Sequence, residues 1–220
     1  MRTAIFATTL SSLLVVSAAC SKDKEQEPAP AAETDEPKKK SNIERIQLAV
    51  PVGKQVACAE VIDPALFTQH IGDEIGEVVD KNKSNGEAAF ACAMMRAGEP
   101  PSEAEQKRKY EKDGLVLGVQ PGEEYCMVSG YCSMSADLDD FRKTCEERND
   151  SSNSQLGVFA CVHQSQRGSK YAYTYRVIDP DSSCILEVMG GPSVTDETLV
   201  QNCTRAALET VTKDKLKNFQ

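Results

Sequence analysis

The nine cysteines are the residues of this 220-residue chain whose types and spacing most directly indicate chemistry. Cys20 stands apart near the N-terminus, and the other eight are spread over the later part of the chain. In an exported chain such a set predicts four disulfides rather than metal ligands, since zinc sites need C-x-x-C pairs and the tightest spacing here is Cys126 to Cys132. We therefore predict no metal and no cofactor. The eight predicted disulfide cysteines are Cys58, Cys92, Cys126, Cys132, Cys145, Cys161, Cys184 and Cys203.

Residues 1–19 have the layout of a secretory signal peptide. Arg2 supplies a positive charge, residues 4–19 are uncharged and mostly apolar, and the chain turns polar directly after Cys20. The apolar run is too short to span a membrane as a helix. The sequence therefore predicts an exported protein.

The run Ser17-Ala18-Ala19-Cys20 resembles the lipobox of bacterial lipoproteins, which signal peptidase II cleaves. The resemblance implies that Cys20 becomes the first residue and carries a diacylglyceryl thioether and an N-acyl chain of the palmitate type. Two or three acyl chains anchor a protein stably in a membrane. Ser21 is compatible with outer-membrane sorting in a Gram-negative host. The alternative is signal peptidase I cleavage after Ala19, which leaves Cys20 as a free thiol.

The lipidated cysteine is followed by a tether. Residues 21–41 consist largely of Lys, Glu, Asp, Pro and Ala, a composition that cannot bury enough apolar surface to fold. We predict a disordered tether over 20–41, with a reach of about 25 Å or more, and one domain over 42–220. The net charge of the whole chain is −9 and becomes more negative when residues 1–19 are removed, which argues against nucleic acid as a partner.

Two segments of the predicted domain, 88–147 and 157–212, match as approximate repeats. The matched positions are Phe90-Ala91-Cys92, Cys126 and Cys145 in the first copy, and Phe159-Ala160-Cys161, Cys184 and Cys203 in the second. We predict an α+β fold in which two duplicated β-β-β-α units join into an antiparallel sheet with helices packed on one face, stabilised by disulfides. The alternative is a generic secreted α+β pattern without duplication.

Local patterns in the second copy support these elements. Tyr171, Tyr173 and Tyr175 alternate along a predicted strand, and Ser193 with Asp196 forms a capping box that predicts the start of a helix. Packing that helix on the sheet would bring Cys203 to Cys184, and the twin unit would pair Cys126 with Cys145. The other four cysteines allow three pairings, of which we favour Cys58–Cys92 and Cys132–Cys161.

Two helices lie outside the matched elements. Asp63-Pro64 predicts a helix start and Gly72 its end. The stretch from Cys58 through this helix to Cys92 is similar to the opening of small actinobacterial lipoproteins of unknown function, which implies no activity. Residues 99–113 form an insertion with a second capping box, and its basic run Lys107-Arg108-Lys109 belongs either to a solvated helix or to a recognition element.

The sequence does not favour catalysis. His70 and His163 are interpreted as packing residues, although either could serve as a base. The chain lacks G-x-S-x-G and Walker A patterns, and Asp179 and Asp181 fit a turn better than a calcium loop. The leading hypothesis is a non-catalytic binding or interaction module at the bacterial cell envelope, anchored to the membrane by its lipid. The alternatives are a small periplasmic or surface hydrolase and a structural envelope protein.

The row Tyr171, Tyr173 and Tyr175 is the predicted ligand face. If this face of the sheet meets the helices, the rings belong to the core. If it is open, the rings form an aromatic platform for a peptide, a glycan or another envelope protein.

Overall fold

The computed structural model describes residue 50 and residues 53–84, 86–113, 118–132, 137–168 and 170–217. The predicted signal peptide, Cys20 and the predicted tether lie outside the described residues. Among the residues described, no helix is both long enough and apolar enough to cross a bilayer.

The predicted antiparallel sheet is present, and the described residues supply seven strands to it. The strands are β1 (Ile75–Asp80), β2 (Phe90–Arg96), β3 (Glu124–Tyr131), β4 (Ser151–Asn153), β5 (Ala160–Arg167), β6 (Lys170–Ile178) and β7 (Ile185–Gly190). Their order across the sheet is β1-β2-β3-β7-β6-β5-β4, and every neighbouring pair is antiparallel. The two groups of strands therefore meet at β3 and β7 in the middle of the sheet.

Within the described ranges, six helices complete the α+β fold, and a short 3-10 helix over Asn82–Ser84 follows β1. The helices are α1 (Cys58–Val61), α2 (Pro64–Ile71), α3 (Glu103–Asp113), α4 (Leu138–Glu147), α5 (Glu197–Thr210) and α6 (Lys213–Leu216). The predicted caps of α2 are confirmed: Asp63 accepts from the Ala65 amide at 3.0 Å, and Gly72 ends the helix at φ 78°.

The main core lies between one face of the sheet and helices α1, α2, α5 and α6. A row of apolar residues crosses four strands there, since Val128 pairs with Val188, Val188 with Tyr175, and Tyr175 with Val162. All four are buried, and Cys203 of α5 belongs to the same cluster. This continuous apolar face is what holds the helices on the sheet.

The expectation of helices on one face alone is wrong for α4. Phe141 and Cys145 of α4 pack with Cys161 and Ile185, which lie on the opposite face of the sheet from the main core. The apolar face of α4 is short, because Phe141 and Cys145 are the only buried residues of this helix. A stripe of this size covers a small satellite cluster rather than a second core.

Four disulfides are present among the eight predicted cysteines, but only one of the favoured pairings is right. Cys58 pairs with Cys92 as expected. The expected Cys184–Cys203, Cys126–Cys145 and Cys132–Cys161 pairings are wrong. The observed bridges are Cys126–Cys203, Cys132–Cys184 and Cys145–Cys161.

The strand order explains these differences. Helix α5 packs over β3 as well as over its own strand β7, so Cys203 meets Cys126 with Cα atoms 6.6 Å apart. Cys132 directly follows Tyr131, and Cys184 directly precedes Ile185, the antiparallel partner of Tyr131, so their Cα atoms lie only 4.2 Å apart. Because α4 lies on the other face, its cysteine bonds to β5.

The duplication stays a prediction. The described residues of the predicted first repeat, 88–147, contain two strands, β2 and β3, rather than the expected three, whereas 157–212 contains β5, β6 and β7. With β1, which precedes the first repeat, strands β1-β2-β3 and β5-β6-β7 lie side by side about the β3–β7 pair. The helices that follow them, α4 and α5, lie on opposite faces of the sheet. A two-fold axis perpendicular to the sheet, between β3 and β7, would superimpose one group of strands on the other. The same axis would place α4 and α5 on one face of the sheet. Because they lie on opposite faces, the helices do not follow that symmetry.

Candidate functional site

Two β-bulges lie at the end of the sheet where β1 begins and β2 ends. Gly76 is an extra residue in β1, and Tyr125 is an extra residue in β3, each opposite the last residues of β2. A Cβ on Gly76 would lie 2.8 Å from the Cα of Ala97, so this close approach requires glycine. Bulges interrupt the alternation of a strand and redirect side chains, and they are common beside functional sites.

The bulged Tyr125 belongs to a network with Asp73 and Arg96. Its hydroxyl donates to Asp73 Oδ2, and Arg96 Nη2 lies 2.9 Å from the same oxygen. Arg96 Nη1 donates to the carbonyl of Val119, and the Glu74 amide donates to Asp73 Oδ1 at 3.0 Å. Both oxygens of the carboxylate are therefore occupied, and the guanidinium is held in place from two sides.

The network shifts the ionisation of its members. The hydrogen bond from Tyr125, followed by the Glu74 amide and the Arg96 charge, lowers the pKa of the Asp73 carboxyl despite some desolvation. Burial, together with the Asp73 carboxylate, raises the pKa of the Tyr125 hydroxyl far above its ordinary value. The tyrosine is thus a neutral donor and the aspartate an anion at neutral pH.

Replacing Tyr125 by phenylalanine is expected to lower the free energy of unfolding by about 1–2 kcal/mol at pH 7. Because the pKa of Asp73 is lowered in the folded state, its stabilising contribution is complete above the unfolded pKa and is lost as the pH falls below about 4. Urea unfolding of both proteins at pH 7 and pH 3 checks this. A cost of Tyr125→Phe that does not shrink at pH 3 would contradict the network.

The network lines a cavity of about 420 Å³, which we call the sheet-end cavity. Its charged lining residues are Asp73, Arg96, Lys170 and Asp196. Two acidic and two basic side chains therefore face one space, and their formal charges cancel. Three residues with hydroxyl groups also line it, namely Tyr125, Ser193 and Thr195.

The remaining wall of the sheet-end cavity is apolar. Ile71, Val119, Val194 and Leu199 line it, and Val119 and Val194 are buried. The loop that carries Val194 packs closely on β3, because a Cβ on Gly191 would lie 1.9 Å from the carbonyl oxygen of Glu124. Apolar walls with a few fixed polar groups are typical of small-molecule sites.

A second cavity of about 350 Å³ lies beside the first, between α3 and the segment 118–123. The two cavities share Gly118 and Ser193 as lining residues. The predicted capping box of α3 is confirmed, since Ser102 and Glu105 bond reciprocally. The helix is exposed along its length, and Lys109 of the basic run lines the second cavity.

The capping box expected at Ser193 and Asp196 is wrong in detail. Asp196 is itself the N-cap of α5 and accepts from the Thr198 amide at 2.9 Å. Ser193 precedes the helix and lines both cavities instead. Since Asp is as good an N-cap as Ser, both Ser193 and Asp196 are suitable N-caps, and the helix begins after Asp196.

The predicted tyrosine face is divided by burial. Tyr175 is fully buried, and its hydroxyl donates to Glu197 at 2.8 Å and accepts from Asn153. Tyr173 is half-buried against the core and accepts from Gln164 at 3.1 Å. Tyr171 is 50% exposed. The row therefore runs from the core to the surface, and it does not form one open platform.

The two histidines each face a carboxylate. His70 Nε2 lies 2.9 Å from Glu209, between α2 and α5, and His163 Nδ1 lies 2.8 Å from Asp150. The His163 side chain is 53% exposed, whereas that of Asp150 is 2% exposed. Neither histidine lines either of the two cavities described above.

The remaining candidates have structural roles. All eight domain cysteines are bridged, and the described residues contain no group of three or more metal-ligating side chains. Asp179 is buried in a turn and accepts from the Ser182 amide at 2.9 Å, and burial raises the pKa of its carboxyl despite these hydrogen bonds. The amide of Lys213 donates to Asp181 at 2.9 Å, which ties this turn to α6.

The sequence did not single out Asp73, Arg96 or Tyr125. Asp73 follows the glycine that ends α2, and Arg96 is the last residue of a strand. Neither position has a sequence pattern that indicates a site. The one local signal is Arg96, a charged residue at the end of an apolar strand.

Comparison with protein-family models, with curated proteins and with solved structures finds no match to this chain. The function is therefore argued from the chemistry of the sheet-end cavity, because the fold class alone does not specify one.

Proposed function

We propose that this chain is a bacterial envelope lipoprotein, anchored through Cys20, whose domain is a non-catalytic binding module. The sheet-end cavity is its ligand site. The lipobox-like sequence supports the anchor, and the four disulfides are consistent with an oxidising compartment outside the cytoplasm.

The observation that carries the binding role is the construction of the sheet-end cavity. Its Asp73–Arg96–Tyr125 network is fixed by hydrogen bonds before any ligand arrives, and apolar residues form the facing wall. Preorganised polar groups reduce the entropy lost on binding. This is the arrangement expected of a site that selects a small ligand by a few polar contacts.

The hydrolase alternative has one observation in its favour, the His163–Asp150 pair. A buried carboxylate holding an exposed imidazole is part of a nucleophile-activating arrangement. A nucleophile within hydrogen-bond reach is also required. Within the described part of the chain, His163 has Asp150 as its hydrogen-bond partner and no serine or threonine hydroxyl bonded to it. Binding is therefore the better-supported role.

A cavity-filling substitution tests the binding role. We expect at least one compound in a panel of amino acids, dipeptides, monosaccharides, nucleosides and organic acids to bind the purified full chain. At a concentration of about 100 Kd, a ligand adds about 2.7 kcal/mol of stability, which raises the Tm by roughly 5–10 °C. Ser193→Trp is expected to abolish that shift, because Ser193 lines the sheet-end cavity, whereas Gln106→Trp, which narrows the second cavity alone, is expected to keep it. Thermal unfolding measures it.

Ser154→Trp is the matched control, because Ser154 is exposed and lines neither of the two cavities. The control is expected to keep the ligand-induced shift. A panel in which every shift is the same for the wild type and for Ser193→Trp would remove the sheet-end cavity as the ligand site.

The anchor has its own test. Cys20→Ala is expected to move essentially all of the protein from the membrane fraction to the soluble fraction, because the acylated thiol is lost. Ser21→Ala, one residue away, is expected to stay with the membrane. Fractionation of cells expressing each variant measures the distribution. A Cys20→Ala variant that has lost residues 1–19 and still stays in the membrane fraction would contradict lipid anchoring.

A further inference from the structure

We infer that the sheet-end cavity takes a small zwitterion, a free amino acid with an apolar side chain. This inference rests on the proposed binding function and names its ligand class. It follows from which charged groups of the cavity are already paired, which are left for a ligand, and what the rest of the wall is made of.

Asp73 and Arg96 neutralise each other. The Tyr125 hydroxyl and the Arg96 guanidinium share one oxygen of Asp73, and the Glu74 amide takes the other. Because the carboxylate has no oxygen without a donor, it is a poor acceptor for a ligand cation. These groups form a fixed and neutral floor of the cavity.

Lys170 and Asp196 are the charges left for a ligand. Among the described residues, no ion pair includes either of them. Asp196 uses Oδ1 to cap α5 through Thr198, and within the described part of the chain no donor is bonded to its Oδ2. A cavity with one ammonium and one carboxylate is matched by a ligand that carries both opposite charges. A simple anion or cation would leave one of them unpaired and partly desolvated.

Besides an ammonium and a carboxylate, the cavity favours an apolar group on the ligand. Ile71, Val194 and Leu199 offer aliphatic surface beside the charged groups, so an aliphatic side chain would be removed from water there. The volume of about 420 Å³ lies toward the lower end of the range for small-molecule sites, roughly 300–1,000 Å³. A leucine-like amino acid supplies the ammonium, the carboxylate and the aliphatic group together.

Three probes that differ only in charge test the inference. L-leucine carries both charged groups, isocaproate lacks the ammonium, and isoamylamine lacks the carboxylate. Titration calorimetry on the full chain is expected to show that leucine binds and that each analogue binds at least about tenfold more weakly. Isocaproate or isoamylamine binding as tightly as leucine would overturn the zwitterion class.

Two variants assign the charges. Lys170→Met is expected to reduce leucine binding at least about tenfold and to leave isoamylamine binding unchanged. Asp196→Asn is expected to weaken leucine and to leave isocaproate unchanged, while asparagine still caps α5. Leucine binding that is unaltered in both variants would overturn the assignment.

Failure of the ligand class and failure of the proposed function give different results. If none of the three probes binds while Ser193→Trp abolishes the shift of another compound in the panel, the zwitterion class is wrong and the binding role stands. If Ser193→Trp abolishes no shift at all, the sheet-end cavity is not the ligand site and both proposals are wrong.

Discussion

Replacing Cys126 and Cys203 together by alanine is expected to lower the free energy of unfolding by about 4–5 kcal/mol. The bridge joins residues 77 positions apart, and closing so long a loop removes much of the entropy of the unfolded chain. It also joins β3 at the centre of the sheet to α5, which carries much of the main core. Urea unfolding without reductant measures the loss.

The Cys145→Ala, Cys161→Ala double variant is the control for loop length. Its bridge closes a loop of only 16 residues, so the expected loss is about 3 kcal/mol. An equal or greater loss for the shorter loop would contradict the loop-length argument.

The first double variant also tests the pairing itself. With the observed bridges, replacing both Cys126 and Cys203 leaves no free thiol behind, because the two cysteines are bonded to each other. The twin-unit pairing would instead release thiols at Cys145 and Cys184. Alkylation of the folded variant followed by peptide mapping distinguishes them, and labelling at Cys145 and Cys184 would contradict the observed connectivity.

Tyr175→Ala is expected to lower the free energy of unfolding by about 3–5 kcal/mol, because the ring is fully buried between the sheet and α5. Tyr171→Ala is expected to change it by less than about 0.5 kcal/mol, because that side chain is half exposed. Urea unfolding of both variants under one set of conditions gives the comparison.

Tyr175→Phe separates the ring from its hydroxyl. It keeps the packing but leaves Glu197 and Asn153 without their shared partner, so the expected loss is about 1–2 kcal/mol. Similar losses of unfolding free energy for Tyr171→Ala and Tyr175→Ala would mean that all three tyrosines share one environment. That result would contradict the division of the row between core and surface.

Features encoded in short stretches of sequence were predictable. Asp63, Pro64 and Gly72 are in the positions that start and end α2, and the alternating tyrosines identify β6. The turn at Asp179 was also predictable, since Asp side chains bond to nearby backbone amides. Each of these signals depends on contacts within a few residues.

The disulfide pairing could not be predicted in the same way. It depends on strand order and on the face to which each helix packs, and both arise from contacts between distant segments. The sequence places Cys145 and Cys203 on similar stripes, yet the helices lie on opposite faces. An apolar stripe on a helix indicates that the helix packs against the sheet. It does not indicate which face of the sheet the helix covers.

The candidate site was the least predictable part. Tyr125 and Asp73 are 52 residues apart and meet because of a bulge in β3. A bulge has no sequence signature here, and without it the strict alternation would direct Tyr125 to the other face of the sheet. Predicting the site would therefore require the register of three strands.

Locating the bound ligand on the protein tests the proposed binding site most directly. The compound from the panel that raises the Tm most is added to isotope-labelled full chain, and amide chemical shifts are followed by NMR. With the sheet-end cavity as the ligand site, the largest changes are expected at Asp73, Val119, Tyr125 and Thr195. Changes at Tyr171 and Tyr173 with none at Asp73, Val119, Tyr125 or Thr195 would contradict that assignment.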